Sequence, residues 1–222
     1  LALVSPTITS SWVVKDQSGN QVSTSSENTL SVENGAKVDY SGKFKYAAPT
    51  SAQKAPTRVA GSFGTTLPSA GEDSETISSS NIESTKTFSV TIYANKGGLE
   101  VSGNKVIKAT GEDSKSASAS VTFYHRRFWG ASADANADIT KLSSELSNAK
   151  GKTITYDCSG GKYFYYAYPT SLGKASFNIG GLAVGIEPTT IKIVNDYSKE
   201  IEYYVYRSAE KQTGSAIKVI IS

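Results

Sequence analysis

The chain has a single histidine, His125, inside the run Tyr124-His125-Arg126-Arg127-Phe128-Trp129. Any imidazole acid–base chemistry would have to pass through it, yet a lone histidine within a strand-like run is ordinarily a packing residue. The adjoining basic pair, flanked by aromatics, is a pattern that can grip phosphate or stack a base. More often it marks a strand end entering an interface. Cys158 is the only cysteine, so no intrachain disulfide and no cysteine-based metal site can form. With no histidine near it in sequence it is an unpromising nucleophile and reads as a small, half-buried strand residue. The tetrapeptide Gly-Glu-Asp-Ser occurs at Gly71–Ser74 and again at Gly111–Ser114. Calcium asks for about six or more oxygens from closely spaced ligands. Two acids without that spacing read as a pair of solvated turns. No Gly-x-Ser-x-Gly elbow, P-loop or dinucleotide fingerprint is present.

Two glycan chemistries remain. Glycoside hydrolysis needs two carboxylates facing each other across a bond, about 5–10 Å apart. The acids here fall in turns (Glu72, Asp73, Glu112, Asp113) or on expected solvent faces (Glu100, Glu202), and no β-helix repeat is visible. Glycan binding needs flat aromatic platforms instead. The candidates for interface or glycan contact are Trp129, Tyr163, Tyr165 and Tyr168. Tyrosines alternating along strands, as Tyr163, Tyr165 and Tyr203 do, are core or sheet-face residues first, since burying an aromatic is worth about 2 kcal/mol. No catalytic, metal-binding or cofactor-binding residue is assigned, and the chain is expected to be non-enzymatic, with no cofactor.

The elements that would position these residues are strands. The chain has 222 residues, long enough for one large β-domain or two ordinary ones. Thirteen Tyr against no Met favour a pleated surface. A net charge of +3 with Lys and Arg scattered among acids does not point to nucleic acid. The longest apolar runs are strand-sized, so no membrane insertion is expected, and no signal segment opens the chain. Because it begins at Leu1 and contains no Met, it reads as a fragment, a processed product or part of something longer.

Thr7–Lys15 is predicted as a strand turning at Gly19-Asn20, and Thr29–Glu33 as another that meets Asn34-Gly35, the strongest hairpin signal in the chain. From 47 to 86 the Pro- and Ser-rich composition predicts a long loop holding one short strand near Arg58–Phe63. Strands resume at Thr87 and run to Phe123. A helix is predicted over 138–150, with Ile139, Leu142, Leu146 and Ala149 on one face, Asp138 as cap and Gly151 as stop. Six further strands follow. The fold class is therefore all-β: an Ig-like β-sandwich over 1–126 with a long loop at 47–86, then an antiparallel β-domain over 127–222 carrying helix 138–150.

The C-terminal half carries a resemblance. It lies in Arg127-Phe128-Trp129-Gly130-Ala131-Ser132, the Ser-Ser-Glu-Leu segment, Gly161–Pro169 with its Tyr-Phe-Tyr-Tyr-Ala-Tyr-Pro, Ser176–Leu182, Glu202–Ser208, and Thr213-Gly214-Ser215. Together these resemble a β-module of tailed-bacteriophage virion appendage proteins of fibre or baseplate type, including those of crAss-like gut phages. The resemblance covers about 95 residues, from Phe128 onward. It implies a structural, homo-oligomeric protein of an extracellular virion, partnered by copies of itself and other virion proteins, with host-surface glycan or protein as the object of attachment. It brings no catalytic motif. The alternatives are a carbohydrate-binding module of a bacterial cell-surface protein and a glycan-cleaving phage appendage.

Overall fold

A computed structural model of the chain describes residues 1–46, 49–54, 62–66, 75–82, 85–96, 99–100, 103–110, 115–148, 152–179, 182–183 and 187–221. The fold is all-β, built from several antiparallel sheets. It divides into two compact units: Leu1–Phe123 with Asp196–Lys199, and Tyr124–Asn195 with Glu200–Ser222.

The first unit is a two-sheet sandwich. One sheet orders its strands Gln21–Ser25, Pro6–Lys15, Lys37–Tyr46, Thr85–Tyr93, Glu75–Ile82; the other orders Thr29–Glu33, Ser116–Tyr124, Gly103–Thr110, Ser62–Thr66. Period-two patterning explains the inward face. Ser10, Trp12 and Val14 alternate with exposed or half-buried neighbours, and Val38, Tyr40 and Phe44 do the same on the adjoining strand. Trp12, Tyr40, Phe44, Phe88 and Ile92 from one sheet meet Val32, Ile107, Ala109, Val121 and Phe123 from the other in a single core. The turn after Lys15 forms as its residues dictate: Gly19 has φ +86°, and the Asp16 carboxylate accepts from the Ser18 and Asn20 amides at 2.9 Å each. The tip residue Tyr197 packs on this core, and its carbonyl accepts from the Gln17 amide at 2.8 Å.

Two expectations are corrected in this unit. Asn34-Gly35 does not close a hairpin. Thr29–Glu33 lies in one sheet and Lys37–Tyr46 in the other, so this turn is a corner of the sandwich, with Gly35 at φ +99°. The described residues of the stretch 47–86 are chiefly strand rather than loop. Gln53–Lys54 pairs parallel to Ala2–Leu3, Ser62–Thr66 is a sheet edge against Gly103–Thr110, and Glu75–Ile82 is a sheet edge against Thr85–Tyr93. Their serine- and threonine-rich composition lacks the apolar alternation that marks a strand in sequence, and that hid them. The predicted strand near Arg58–Phe63 falls mostly outside the described residues.

The second unit is also two-layered. Its larger sheet orders Ser143–Leu146, Arg126–Ser132, Tyr163–Pro169, Glu200–Arg207, Thr189–Val194; its smaller one orders Lys152–Tyr156, Ile217–Ile221, Phe177–Ile179, Leu182–Ala183. Between the sheets lie Phe164, Tyr166, Tyr168, Tyr206 and Val219. The opposite face of the larger sheet has a core of its own, Phe128, Ile139, Tyr165, Ala167, Ile201 and Tyr203, with Ala137 and Leu142 packed against it. The central strand Tyr163–Pro169 is therefore buried on both faces.

The predicted helix 138–150 is absent over its described part. Asp138 caps as expected, accepting from the Thr140 amide at 3.0 Å, but only a 3-10 turn, Ile139–Lys141, follows. Ser143–Leu146 then pairs antiparallel with Arg126–Trp129. A short helix with one apolar stripe is marginal by itself. Here the strand gains a ladder, Leu142 seats on Gly130, and Glu145 pairs with Arg127, so the tertiary gains outweigh the helical pattern. Ala149, Lys150 and Gly151 lie outside the described residues.

Candidate binding groove

The larger sheet of the second unit decides where each candidate side chain goes. Trp129 stands opposite Tyr166, on the face that meets the smaller sheet, and packs half-buried against that core. Tyr168 shares this face, is 1% exposed, and its hydroxyl has no hydrogen-bond partner among the described residues. Tyr163 and Tyr165 project to the other face. The four candidates are thus split two and two across a sheet and cannot form one platform. Tyr165 is buried, its hydroxyl donating to the Asp134 carbonyl and accepting from the Ala137 amide at 3.3 Å. Tyr163 is half-exposed, with the Arg207 guanidinium 4.6 Å over its ring and the Lys211 ammonium at 5.9 Å.

The basic pair also separates. The Arg126 guanidinium donates to the Ser144 hydroxyl at 2.9 Å, while Arg127 is buried and pairs with Glu145. Arg127 also lies against Tyr166, whose hydroxyl burial pushes up to about 12 although the guanidinium pulls the other way. Arg127 therefore serves the inside of the sheet, while Arg126 stays at its surface. His125 is buried, and its carbonyl accepts from the Ser147 amide at 2.8 Å. Cys158 is fully buried, its amide donating to the Gly214 carbonyl at 2.8 Å, and burial pushes its thiol pKa up. Both Gly-Glu-Asp-Ser segments lie outside the described residues. Among the described residues no three His, Cys, Asp or Glu side chains gather at one point.

What the larger sheet does open is a groove of about 310 Å³ on its Tyr165 face. Ala135, Ala137 and Ile139 form one wall, Ile191 and Val205 the other, and Asn136, Thr189 and Arg207 supply polar groups. Arg207 is held by its own bonds: Nη1 donates to the Ala135 carbonyl at 3.0 Å and Nε to the Ser208 carbonyl at 3.1 Å. Ser208 is itself fixed, its hydroxyl donating to the Glu210 carbonyl at 2.8 Å and accepting from the Phe164 amide at 3.1 Å. The groove joins apolar side chains to one oriented cation. Sequence reading passed over Arg207, Thr189 and Ile191. The available signal was the β-branched run Thr189–Val194 lying beside a Tyr-Arg-Ser strand end. Compared with known protein families, curated proteins and solved structures, the chain matches none of them.

Proposed function

We propose that the chain is a non-enzymatic structural protein of a phage virion, a fibre, baseplate or head appendage component that serves assembly and host-surface attachment. The observation that carries this reading is the place of the motifs behind the resemblance. Tyr163–Pro169 and Glu200–Arg207 are adjacent central strands of one sheet, and their tyrosines fill cores on both of its faces. Their aromatic density is spent on packing a rigid module, which is what a particle component requires. Sheet edges such as Gln21–Ser25 and Thr189–Val194 carry exposed residues and are available for lateral contacts.

Light scattering on a size-exclusion column, with the purified chain at micromolar concentration, tests the reading. A trimer or a larger ring is the expected result. A monomer that also binds specific sugars on a glycan array would refute it in favour of a carbohydrate-binding module.

A further inference from the structure

The larger sheet of the second unit ends on Thr189–Val194, and no described residue pairs with the outer edge of that strand. Five of its six residues are β-branched, Lys192 being the exception. Such an edge is a template for another strand unless charge, proline or a bulge blunts it, and Lys192 is the only such guard here. The strand is open to solvent, with Ile191 37% and Val194 63% exposed. Thr189 and Ile191 stand opposite Val205 and Tyr203, so their side chains face the groove. Arg207 stands at the Thr189 end of that groove. It is clamped by two carbonyls and the Tyr163 ring, and among the described residues no carboxylate pairs with it.

We propose that this edge and groove bind an extended peptide segment of a partner protein. The segment adds antiparallel to Thr189–Val194, places a branched apolar side chain in the groove, and sets a carboxylate at its C-terminal end against Arg207. Direction follows from geometry. Every pair in this sheet is antiparallel, and an added strand that continues the pattern runs from the Val194 end towards the Thr189 end. Its C-terminal end therefore arrives at the Thr189 end, and its last residue must turn over the edge into the groove that Thr189 and Arg207 both line to bring the carboxylate to the guanidinium. A parallel segment would bring its N-terminal end there instead, with the wrong charge. Main-chain bonds supply affinity in such additions, and the pocketed side chain and the charge supply selectivity. A sugar acid fits less well, since Tyr165 is buried, Arg207 covers the Tyr163 ring, and the groove walls are branched aliphatics. This inference goes beyond the assembly role and does not depend on it, because a chain that never self-associates can still bind the peptide.

The test is an NMR titration of the full, nitrogen-15-labelled chain with an N-acetylated peptide of alternating valine and threonine bearing a free C-terminal carboxylate. Its C-terminal amide and free glucuronate are titrated in parallel. The Thr189–Val194 amide signals should shift and exchange more slowly. The amide peptide should bind about tenfold more weakly, the worth of one charge-assisted hydrogen bond. Ile191→Asp, at an exposed site, should abolish binding, and Arg207→Gln should erase the preference for acid over amide, while Arg207→Lys should keep part of it. Equal binding of acid and amide, or protection of a different strand, would overturn the proposal. Glucuronate shifting these signals while the peptide does not would assign the groove to a sugar acid. A dimer with these amides already protected, dissolved by Ile191→Asp, would assign the edge to a second copy.

Discussion

Gly42 is where the first unit is least able to accept one more carbon. It sits on Lys37–Tyr46 two residues from Tyr40, on the same face, and pairs with Phe88 across the ladder. A Cβ at Gly42 would lie 2.6 Å from the Tyr40 hydroxyl oxygen, 2.8 Å from its Cε1 and 3.0 Å from Phe88 Cζ. Tyr40 cannot swing aside. Its ring is hemmed by Trp12 at 4.4 Å and Phe88 at 5.6 Å between centroids, and its hydroxyl shares a hydrogen bond with Ser10 at 3.0 Å. Ser10 in turn donates to Asn28 Oδ1 at 2.6 Å. Gly42→Ala therefore overpacks the core, at a cost of about 1–3 kcal/mol. It also displaces a buried hydroxyl from its partner, about 1 kcal/mol more. The lower backbone entropy of alanine in the unfolded chain returns about 0.5–1 kcal/mol. The net is a loss of about 2 kcal/mol, or about 1 M in the urea midpoint at a slope typical of small domains. Fluorescence can read it selectively because the chain has two tryptophans, Trp12 in the first unit and Trp129 in the second. In a Trp129→Phe background the signal belongs to the first unit alone. Adding Tyr40→Phe removes both the closest contact and the hydrogen bond, so the double variant should lose less than the sum of the two single ones. An unchanged midpoint for Gly42→Ala, or strict additivity in the pair, would refute the packing argument.

Lys105 is 1% exposed, and burial lowers its pKa from 10.5 to about 8. The unfolded chain then holds the proton more tightly than the folded one, so native stability rises between about pH 8 and pH 10.5, and the whole cost, about 3 kcal/mol, is present at neutrality. Lys105→Met should raise the urea midpoint near neutrality and flatten the rise towards about pH 9.5; parallel pH profiles for the two proteins would sink this account. Gly130→Ala would place a Cβ 2.8 Å from Leu142 Cδ2 and 3.0 Å from Leu142 Cβ, so the turn itself must move, at about 1–3 kcal/mol. Leu142→Ala removes the Cδ2 contact but keeps Cβ, so it should relieve only part of the Gly130→Ala loss, as read by Trp129 fluorescence. Tyr168→Phe removes a buried hydroxyl that has no hydrogen-bond partner among the described residues and should leave the second unit as stable or more stable by about 1 kcal/mol, a melting shift of zero to a few degrees by calorimetry.

The all-β class was legible because the strands that build the first core carry their alternation openly. Pro6–Lys15 and Lys37–Tyr46 place an inward residue at nearly every second position, and burial follows that pattern. Legibility failed where a local signal competed with a tertiary one. The helical spacing of Ile139, Leu142 and Leu146 is genuine, but Ile139 also fits a 3-10 turn over the second face of the sheet, and Ser143–Leu146 can complete an edge. Nothing in the local pattern weighs a ladder to Arg126–Trp129 against helical bonds. Asn34-Gly35 has the same ambiguity, since a residue tolerant of positive φ reverses the chain equally well within a sheet or between two sheets. Glu75–Ile82 carries too few apolar residues to register as a strand at all.

The aromatic candidates divide between two faces for a reason visible in their own spacing. Tyr163, Phe164, Tyr165, Tyr166 and Tyr168 are nearly consecutive, and consecutive residues of a strand face opposite ways. An exposed platform would show its aromatics at every second position with polar residues between. A run without that gap requires apolar cover on both sides, and this strand has it: Phe164, Tyr166 and Tyr168 in one core, Tyr165 and Ala167 in the other. Burial at the centre of the sheet displaces contact surface outward, to strands with a neighbour on one side only. Thr189–Val194 is such a strand: its β-branched composition suits a ladder, and its outer edge is unpaired among the described residues. Arg207 gains its place by the same logic. It continues the inward-facing series Tyr203 and Val205 one step past Thr189, so its charge lines the same groove as Thr189 and Ile191.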